Sequence, residues 1–247
     1  KDNNMSVIVC GDSTAGATTF TNFIEKFVPG EVVNTVFGTI QREQLADASV
    51  LILVSDGTGT STQFPLEDEV IERLEERSLN MMVFEYCEYL SSLNSLTKLC
   101  TQFPLKRNTG SVDSVVYNKT TDYDDTAGVL DEVTFPFTFT CARSQCSIRD
   151  AKKFKAIISS TMPEVAVSND FHIVHFACAP TYQTATYFTN FSGSPMAKVV
   201  QNFLDLFVAG GPLLKTSPVG KDAGNIFSDM EKAFNDPAWS DITFTTS

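Results

Sequence analysis

The sequence predicts an α/β protein: a doubly wound, mostly parallel Rossmann-like sheet with helices on both faces. Three observations carry this expectation. Val50–Val54 is an unbroken run of valine, leucine and isoleucine, the pattern of a strand buried on both faces as parallel sheets require. Strand-like runs alternate with helix-spaced apolar residues through the first half of the chain. The 247 residues are 43% hydrophobic and 19% charged, a composition able to bury a core.

The elements follow in order. Ser6–Cys10 is a short apolar run that predicts a strand, and Thr18–Val28 sets Phe20, Phe23, Ile24 and Phe27 at helical spacing. Val32–Phe37 is again strand-like. After Val50–Val54, Pro65 stands where a helix begins, and Leu66, Val70, Ile71 and Leu74 form one apolar stripe. Glu67, Asp68 and Glu69 suit the positive end of that helix, and the acidic run Glu67–Glu76 reads as its solvated face. Strand Met81–Tyr86, helix Leu93–Cys100, strand Ser114–Tyr117 and helix Ala127–Val133 continue the cycle.

The pattern then restarts. Phe135–Cys141 alternates as a strand, Ile148–Ser160 reads as a lysine-bearing helix, Phe171–Ala177 as a strand and Tyr182–Thr189 as its hairpin partner. Met196–Phe207 and Asp222–Phe234 are predicted helices separated by Gly210-Gly211-Pro212, and Trp239–Phe244 is a last strand. The restart sets a boundary near residue 133. Residues 1–133 form one α/β domain, and 134–247 form either a second α/β unit or the complementary half of the same sheet.

With 18 Lys+Arg against 30 Asp+Glu, the net charge is −12, and no basic stripe is present to neutralise nucleic-acid phosphates. No run approaches the roughly 18 apolar residues of a membrane span, and Lys1–Asn4 lead into a strand rather than a signal peptide. The expectation is an intracellular, cytoplasmic protein, with the sequons at Asn118 and Asn190 a weak sign of secretion. The six cysteines include no CxxC pair and are expected to be buried free thiols.

Phe137–Phe234, with strand FTFTC, helix IRDAKKFKAII, strand DFHIVHFA and the Gly210-Gly211 turn, resembles the front half of a von Willebrand factor A domain. Val50–Val133 resembles that family's back half. The reversed order implies two shortened modules or one permuted module. Such domains hold a divalent cation through D-x-S-x-S, a later Thr and a later Asp. Cys141-Ala-Arg-Ser144-Gln-Cys146 lacks the Asp, and Gly210-Gly211-Pro212 stands in the Thr position, so the resemblance implies a degenerate metal site. The remaining candidate Mg²⁺ ligands are Asp12, Thr14 and Asp56; the alternative is that Asp12 and Asp56 cap a turn or helix.

A second resemblance is to P-loop GTPases. Gly11-Asp-Ser-Thr-Ala-Gly16-Ala17-Thr18 follows a strand and opens a helix, making Gly11, Gly16 and Thr18 candidate phosphate contacts. Ala17 replaces the Lys, Thr35-Val36-Phe37-Gly38 lacks the Mg²⁺-binding Asp, and Cys87-Glu88-Tyr89 replaces the guanine-reading motif. Asn118-Lys119-Thr-Thr-Asp122 has one residue too many. This implies a pseudo-GTPase or nucleotide-binding regulatory protein, whose activity, if any, is NTP hydrolysis. Gly11-Asp12-Ser13 also resembles the nucleophile block of SGNH esterases. That chemistry needs a late base, and the only histidines, His172 and His175, are three apart on one predicted strand and face opposite ways.

Both family resemblances predict a fold whose strand-end chemistry is lost. The expected function is a non-catalytic protein-interaction scaffold within a larger assembly, not an enzyme, with no cofactor beyond that Mg²⁺ and with partners that are basic proteins. Tyr182, Tyr187, Phe188 and Phe191 are the expected interface residues; the alternative is that they line the protein's own core.

Overall fold

The computed structural model describes residues 6–208, apart from 29, 58–62, 88–95, 122, 124, 126 and 183–184. The predicted helix 222–234 and strand 239–244 lie outside the described residues.

The first part of the chain folds as the alternation demands. β1 (Ser6–Gly11), α1 (Thr14–Ile24), β2 (Glu31–Val36), α2 (Arg42–Asp47), β3 (Ala48–Val54), α3 (Glu67–Glu75) and β4 (Asn80–Phe84) follow in sequence. β1 lies between β2 and β3, β4 pairs with β3, and all of these pairings are parallel. β9 (Ile173–Phe176) adds a fifth parallel strand beside β4.

Period-two alternation assigns the faces. Val7, Val9, Val50 and Ile52 pack with Phe20, Phe23 and Ile24 of α1. Ile8, Leu51 and Leu53 pack with Leu45 of α2 and with Val70 and Leu74 of α3. Ser13 caps α1, its Oγ accepting the Gly16 N–H at 3.1 Å. Arg73 of α3 donates to the carbonyls of Leu45, Ala48 (2.7 Å) and Ser78 (2.9 Å), which ties α3 to α2 and the start of β3.

Beyond β9 the pairing becomes antiparallel. β5 (Leu105–Lys119), β6 (Phe137–Ile148), β7 (Phe154–Ser159), β8 (Pro163–Ser168) and β10 (Cys178–Ala179) join in the order β10-β6-β5-β7-β8-β9. β10 follows β9 after one residue, so the ladder returns to the stretch of chain from which it set out. Ala177 closes it, accepting from Ser144 N–H at 3.0 Å and donating to Glu164 O at 2.8 Å. α4 (Ala185–Ser192) and α5 (Pro195–Val208) cover the α1 face through Phe191, Val199, Val200, Phe203 and Leu204.

The protein is therefore α/β with a large mixed sheet, parallel in β2-β1-β3-β4-β9 and antiparallel in the rest. Several sequence expectations are corrected. Residues 114–117 belong to the long β5, paired antiparallel with β6. The predicted helix 148–160 instead turns at Asp150, whose carboxylate accepts Lys152 N–H at 2.9 Å, and runs on as β7. Its β-branched Ile157 and Ile158 fit the core as strand residues. Residues 127–133 form turns, with Asp125 accepting from Val129 and Leu130 N–H at 3.0 and 2.7 Å.

Of the predicted helix 93–100, residues 93–95 lie outside the described residues, and Leu99–Gln102 is a 3₁₀ turn held by Glu67. Of the predicted hairpin strand 182–189, residues 183–184 lie outside the described residues and 185–189 belong to α4 instead. β8 had no predicted counterpart. Among the described residues, no helix is long and apolar enough to cross a membrane.

Candidate functional site

In a parallel sheet the carboxyl ends of the strands form the natural ligand crevice. Here β4 ends in Glu85-Tyr86-Cys87. Glu85 N–H donates to Phe176 O (2.9 Å) and Cys178 O (3.1 Å), which anchors the strand end between β9 and β10. The next residue, Tyr86, has φ 71°, a left-handed backbone that costs a bulky side chain about 1–2 kcal/mol. The turn swings its ring out of the sheet's alternation.

The ring stacks on Tyr182, with centroids 4.2 Å apart and planes 10° from parallel. Gly57 (φ +73°) backs Tyr182 so closely that a Cβ there would lie 2.2 Å from the ring edge. The Arg107 guanidinium carbon stands 5.3 Å from the Tyr86 centroid. Burial, reinforced by the neighbouring Tyr182, pushes the Tyr86 phenol up to about 12. Tyr86 is therefore a protonated hydrogen-bond donor across the physiological range.

Glu85 is the buried hub beneath this turn, at 0% exposure, with His175, also at 0%, beside it. His175 Nδ1 accepts the Leu105 N–H at 3.3 Å, which assigns the ring proton to Nε2, 3.4 Å from Glu85 Oε2. Cys146 Sγ approaches the same oxygen at 3.7 Å. Arg107 Nε lies 3.6 Å from Glu85 Oε1 and donates to Ser144 Oγ at 3.0 Å. Glu85 thus links the base of the turn to the cation beside Tyr86.

A second polar set lies at the ends of β1 and β3. Ser55 Oγ donates to Asp12 Oδ2 at 2.5 Å, and Asp56 N–H donates to Asp12 Oδ1 at 3.0 Å. Ser13 Oγ donates to Asp56 Oδ2. Thr181 Oγ1 donates to Ser55 O at 2.9 Å, so the chain after β10 is tied to the same corner.

The structure brings Asp12 and Asp56 together, as the candidate Mg²⁺ site requires. Their oxygens, however, accept protein hydrogen bonds at Asp12 Oδ1, Asp12 Oδ2 and Asp56 Oδ2, while Thr14 is exposed. Among the described residues, no group of three or more His, Cys, Asp or Glu side chains is arranged to hold a metal. Gly11 ends β1, and Gly16 lies in the first turn of α1, where a Cβ would stand 3.2 Å from that of Asp56. Thr18 Oγ1 faces β2 and accepts from Asn34 Nδ2 at 2.8 Å.

His172 precedes β9 and contacts Asp170 and Ser168, whereas His175 is the buried partner of Glu85. Of the expected interface aromatics, three pack on the protein's own core and Tyr182 is half-buried. Phe191 is fully buried, Tyr187 and Phe188 pack against the same core, and Tyr182 stacks on Tyr86. All six thiols are free and five are buried, as expected.

No spacing or motif in the sequence predicts the Tyr86–Arg107–Glu85–His175 cluster. Its one signal is the abrupt change from Met81-Met82-Val83-Phe84 to Glu85, a carboxylate closing a fully buried strand.

No family model matches the sequence, and no curated protein matches it. Solved structures do share its fold. A Bacteroides uniformis protein described as ThuA-like aligns with a TM-score of 0.61 at 15% identity, covering 85% of this chain and 96% of its own. A Thermoplasma acidophilum protein described as part of a GMP synthase aligns at 0.53 and 10% identity, covering 83% and 95%. A glutamine amidotransferase of Thermotoga maritima aligns at 0.51 and 12% identity, covering 83% and 98%.

These likenesses replace the expected von Willebrand A and P-loop GTPase resemblances. Element order suggests the first of those families and the Gly11–Thr18 turn the second, and the antiparallel ring from β5 to β10 separates this fold from the predicted one. The expectations of a non-catalytic scaffold and of a pseudo-GTPase rested on those resemblances and fall with them. So does the expectation that the protein is not an enzyme, since the neighbours include proteins named as amidotransferase and synthase.

Proposed function

We propose that the protein is a small-molecule enzyme whose site is the Tyr86 crevice and whose substrate carries a carbonyl or amide group. The observation that carries this reading is Tyr86 itself, an aromatic residue held at φ 71° at the end of a central parallel strand, stacked on Tyr182 and beside Arg107. Backbone strain of this kind persists only where the surroundings fix it, and it concentrates at functional sites.

In this reading the protonated Tyr86 hydroxyl, hydrogen-bonded to Tyr182 in this structure, turns to donate to the substrate carbonyl oxygen and stabilises the negative charge that develops there. Arg107, held by Ser144 and Glu85, adds positive charge to the same region. Cys87 is fully buried, and burial, with Asp12 and Glu85 nearby, pushes its thiol well above the ordinary range, so this reading gives it no role as a nucleophile. Asp12 and Asp56 act as structural acceptors that fix the corner of β1, β3 and the chain after β10, rather than as Mg²⁺ ligands. Residues 134–208 are taken as the complementary half of one sheet, since His175 and Ser144 complete a cluster begun by Glu85 and Arg107.

The fold neighbours include a glutamine amidotransferase, so the side-chain amide of glutamine is the first probe. Titration with glutamine followed by NMR should give saturable shifts at Tyr86, Tyr182 and Gly57, and ammonia release should be measured alongside. Tyr86→Phe, which keeps the ring and its stacking, should abolish both without lowering the melting temperature. Shifts that persist undiminished in Tyr86→Phe, or that map away from this end of the sheet, would overturn the assignment.

A further inference from the structure

A second site lies at the opposite end of the same strands. Where β4 and β9 begin, a cavity of about 320 Å³ opens between the end of α3, the β6–β7 turn and the β8–β9 turn. Its floor is apolar, formed by the buried Leu74, Phe154 and Ile173. Its rim carries Arg77, Lys152, Lys153, Asp170 and His172, with Glu75 on one side.

Asp170 is already neutralised, with Arg77 Nη2 at 3.0 Å from Oδ2 and His172 Nδ1 on Oδ1. Burial works to raise this carboxyl, but the bonds from His172 and Ser168 and the charge of Arg77 hold it well below the ordinary range. Lys152 and Lys153 have no carboxylate partner among the described residues. Among the residues that line the cavity, Glu75 is the remaining carboxylate against these two lysines, an excess of one positive charge, with Asp150 at the foot of the same turn on the Lys152 N–H.

The lysines also stand on a fixed platform. Asn169 Nδ2 donates to Lys152 O at 2.7 Å and Asn169 N–H to Lys153 O at 2.9 Å, which clips the β6–β7 turn to the β8–β9 turn. Two of the four non-glycine left-handed residues among those described flank the cavity, Arg77 at φ 59° and Phe171 at φ 64°. The strain at Phe171 is held by its N–H on Ser168 O at 2.9 Å and by Ile173 N–H on Ser168 Oγ at 3.1 Å. With Nδ1 on Asp170, Nε2 is the other ring nitrogen, and it donates to an anion in the imidazolium form of the ring.

We propose that this cavity binds a compact anion, the phosphate or carboxylate group of a small molecule, between the ammonium groups of Lys152 and Lys153 and the His172 ring. The inference is independent of the Tyr86 reading, because the two sites share no residue. The test is an NMR titration with inorganic phosphate and, separately, with acetate, at constant ionic strength maintained with chloride. His172 is one of only two histidines, so its ring signals are resolvable.

The expected result is a saturable shift of the His172 signals with at least one of the two anions, weakened about tenfold in a Lys152→Ala, Lys153→Ala double variant of unchanged melting temperature. Tyr86→Phe should leave it unaltered. A shift that chloride reproduces, a titration that does not saturate, or equal affinity in the double variant would each overturn the proposal.

Discussion

Ile52 and Arg143 both sit in strand interiors, at 0% and 3% exposure, but they belong to differently built halves of the sheet. Around Ile52 the parallel strands bury side chains of one kind on both faces, and polar groups are held to the strand ends. Around Arg143 the antiparallel ring buries charge. Its guanidinium meets Glu164 at 2.8 Å, with Tyr117 and Cys178 close by. The core of the parallel half gains its stability chiefly from apolar area, whereas the ring must offset the desolvation of a carboxylate, a guanidinium and a phenol.

The largest expected effect tests the first half of that contrast. Ile52→Asp places a charge where neither face offers a partner, at a cost of several kcal/mol, comparable with the stability of a whole domain. The variant should be unfolded by circular dichroism at room temperature. A cooperative melt near the wild-type temperature would show that β3 is not central.

The ring should instead respond to pH. Burial pushes Glu164 up to about 7 from an ordinary value of 4.5, against the lowering effects of Ser160 and Arg143. Because the folded value lies above the unfolded one, the folded chain holds this proton more tightly. The contribution is fully favourable below about pH 4.5 and is lost as pH rises through 7, a change of about 3 kcal/mol. Urea denaturation across this window should show the decline. Glu164→Gln should remove Glu164's share of it and be at least as stable as the wild type at pH 8.

The same contrast explains what the sequence reveals. Strands of the parallel half are continuous apolar runs joined by local crossovers, so Val7–Cys10, Val50–Val54 and Met81–Phe84 are readable without knowing their neighbours. β5, β7 and β8 are defined by partners far away in the chain. Lys152-Lys153-Phe154-Lys155-Ala156-Ile157-Ile158 satisfies helical spacing as well as it satisfies a strand, and only pairing with β8 decides. The carboxyl-end position of the candidate site is legible, and Asp12 and Asp56 do meet there. The Tyr86 cluster is not, since it needs Arg107, Ser144 and His175 from three strands of the ring, and no spacing in the sequence encodes that meeting.

Where the two halves touch, at the stacked tyrosines, a smaller effect is expected. Gly57→Ala would put a methyl group 2.2 Å from the Tyr182 ring on a backbone at φ +73°. The cost should be about 1–2 kcal/mol from the backbone and the displaced ring together. The near-ultraviolet tyrosine signal should change while the far-ultraviolet spectrum stays native. An unchanged tyrosine signal would mean that Tyr182 is not seated against Gly57.

The smallest effect comes from pairing the same two residue types at the surface. Arg42 and Glu69 join α2 to α3 at 3.0 Å, but their side chains are 74% and 24% exposed, against 4% and 1% for Arg143 and Glu164. Water and salt screen the exposed pair, and ordering two long side chains offsets much of its attraction. Arg42→Met should therefore shift stability by no more than about 0.5 kcal/mol, and the shift should vanish in high salt. Arg143→Met removes the charge that holds Glu164 down, so the stability decline expected of the wild type should extend above pH 7 and be nearly indifferent to salt. Parallel denaturation series of the two variants at low and high salt would measure the difference. Equal, salt-sensitive losses in both would mean that the ring's interior is open to water and that the two halves of the sheet do not differ in the way their burial implies.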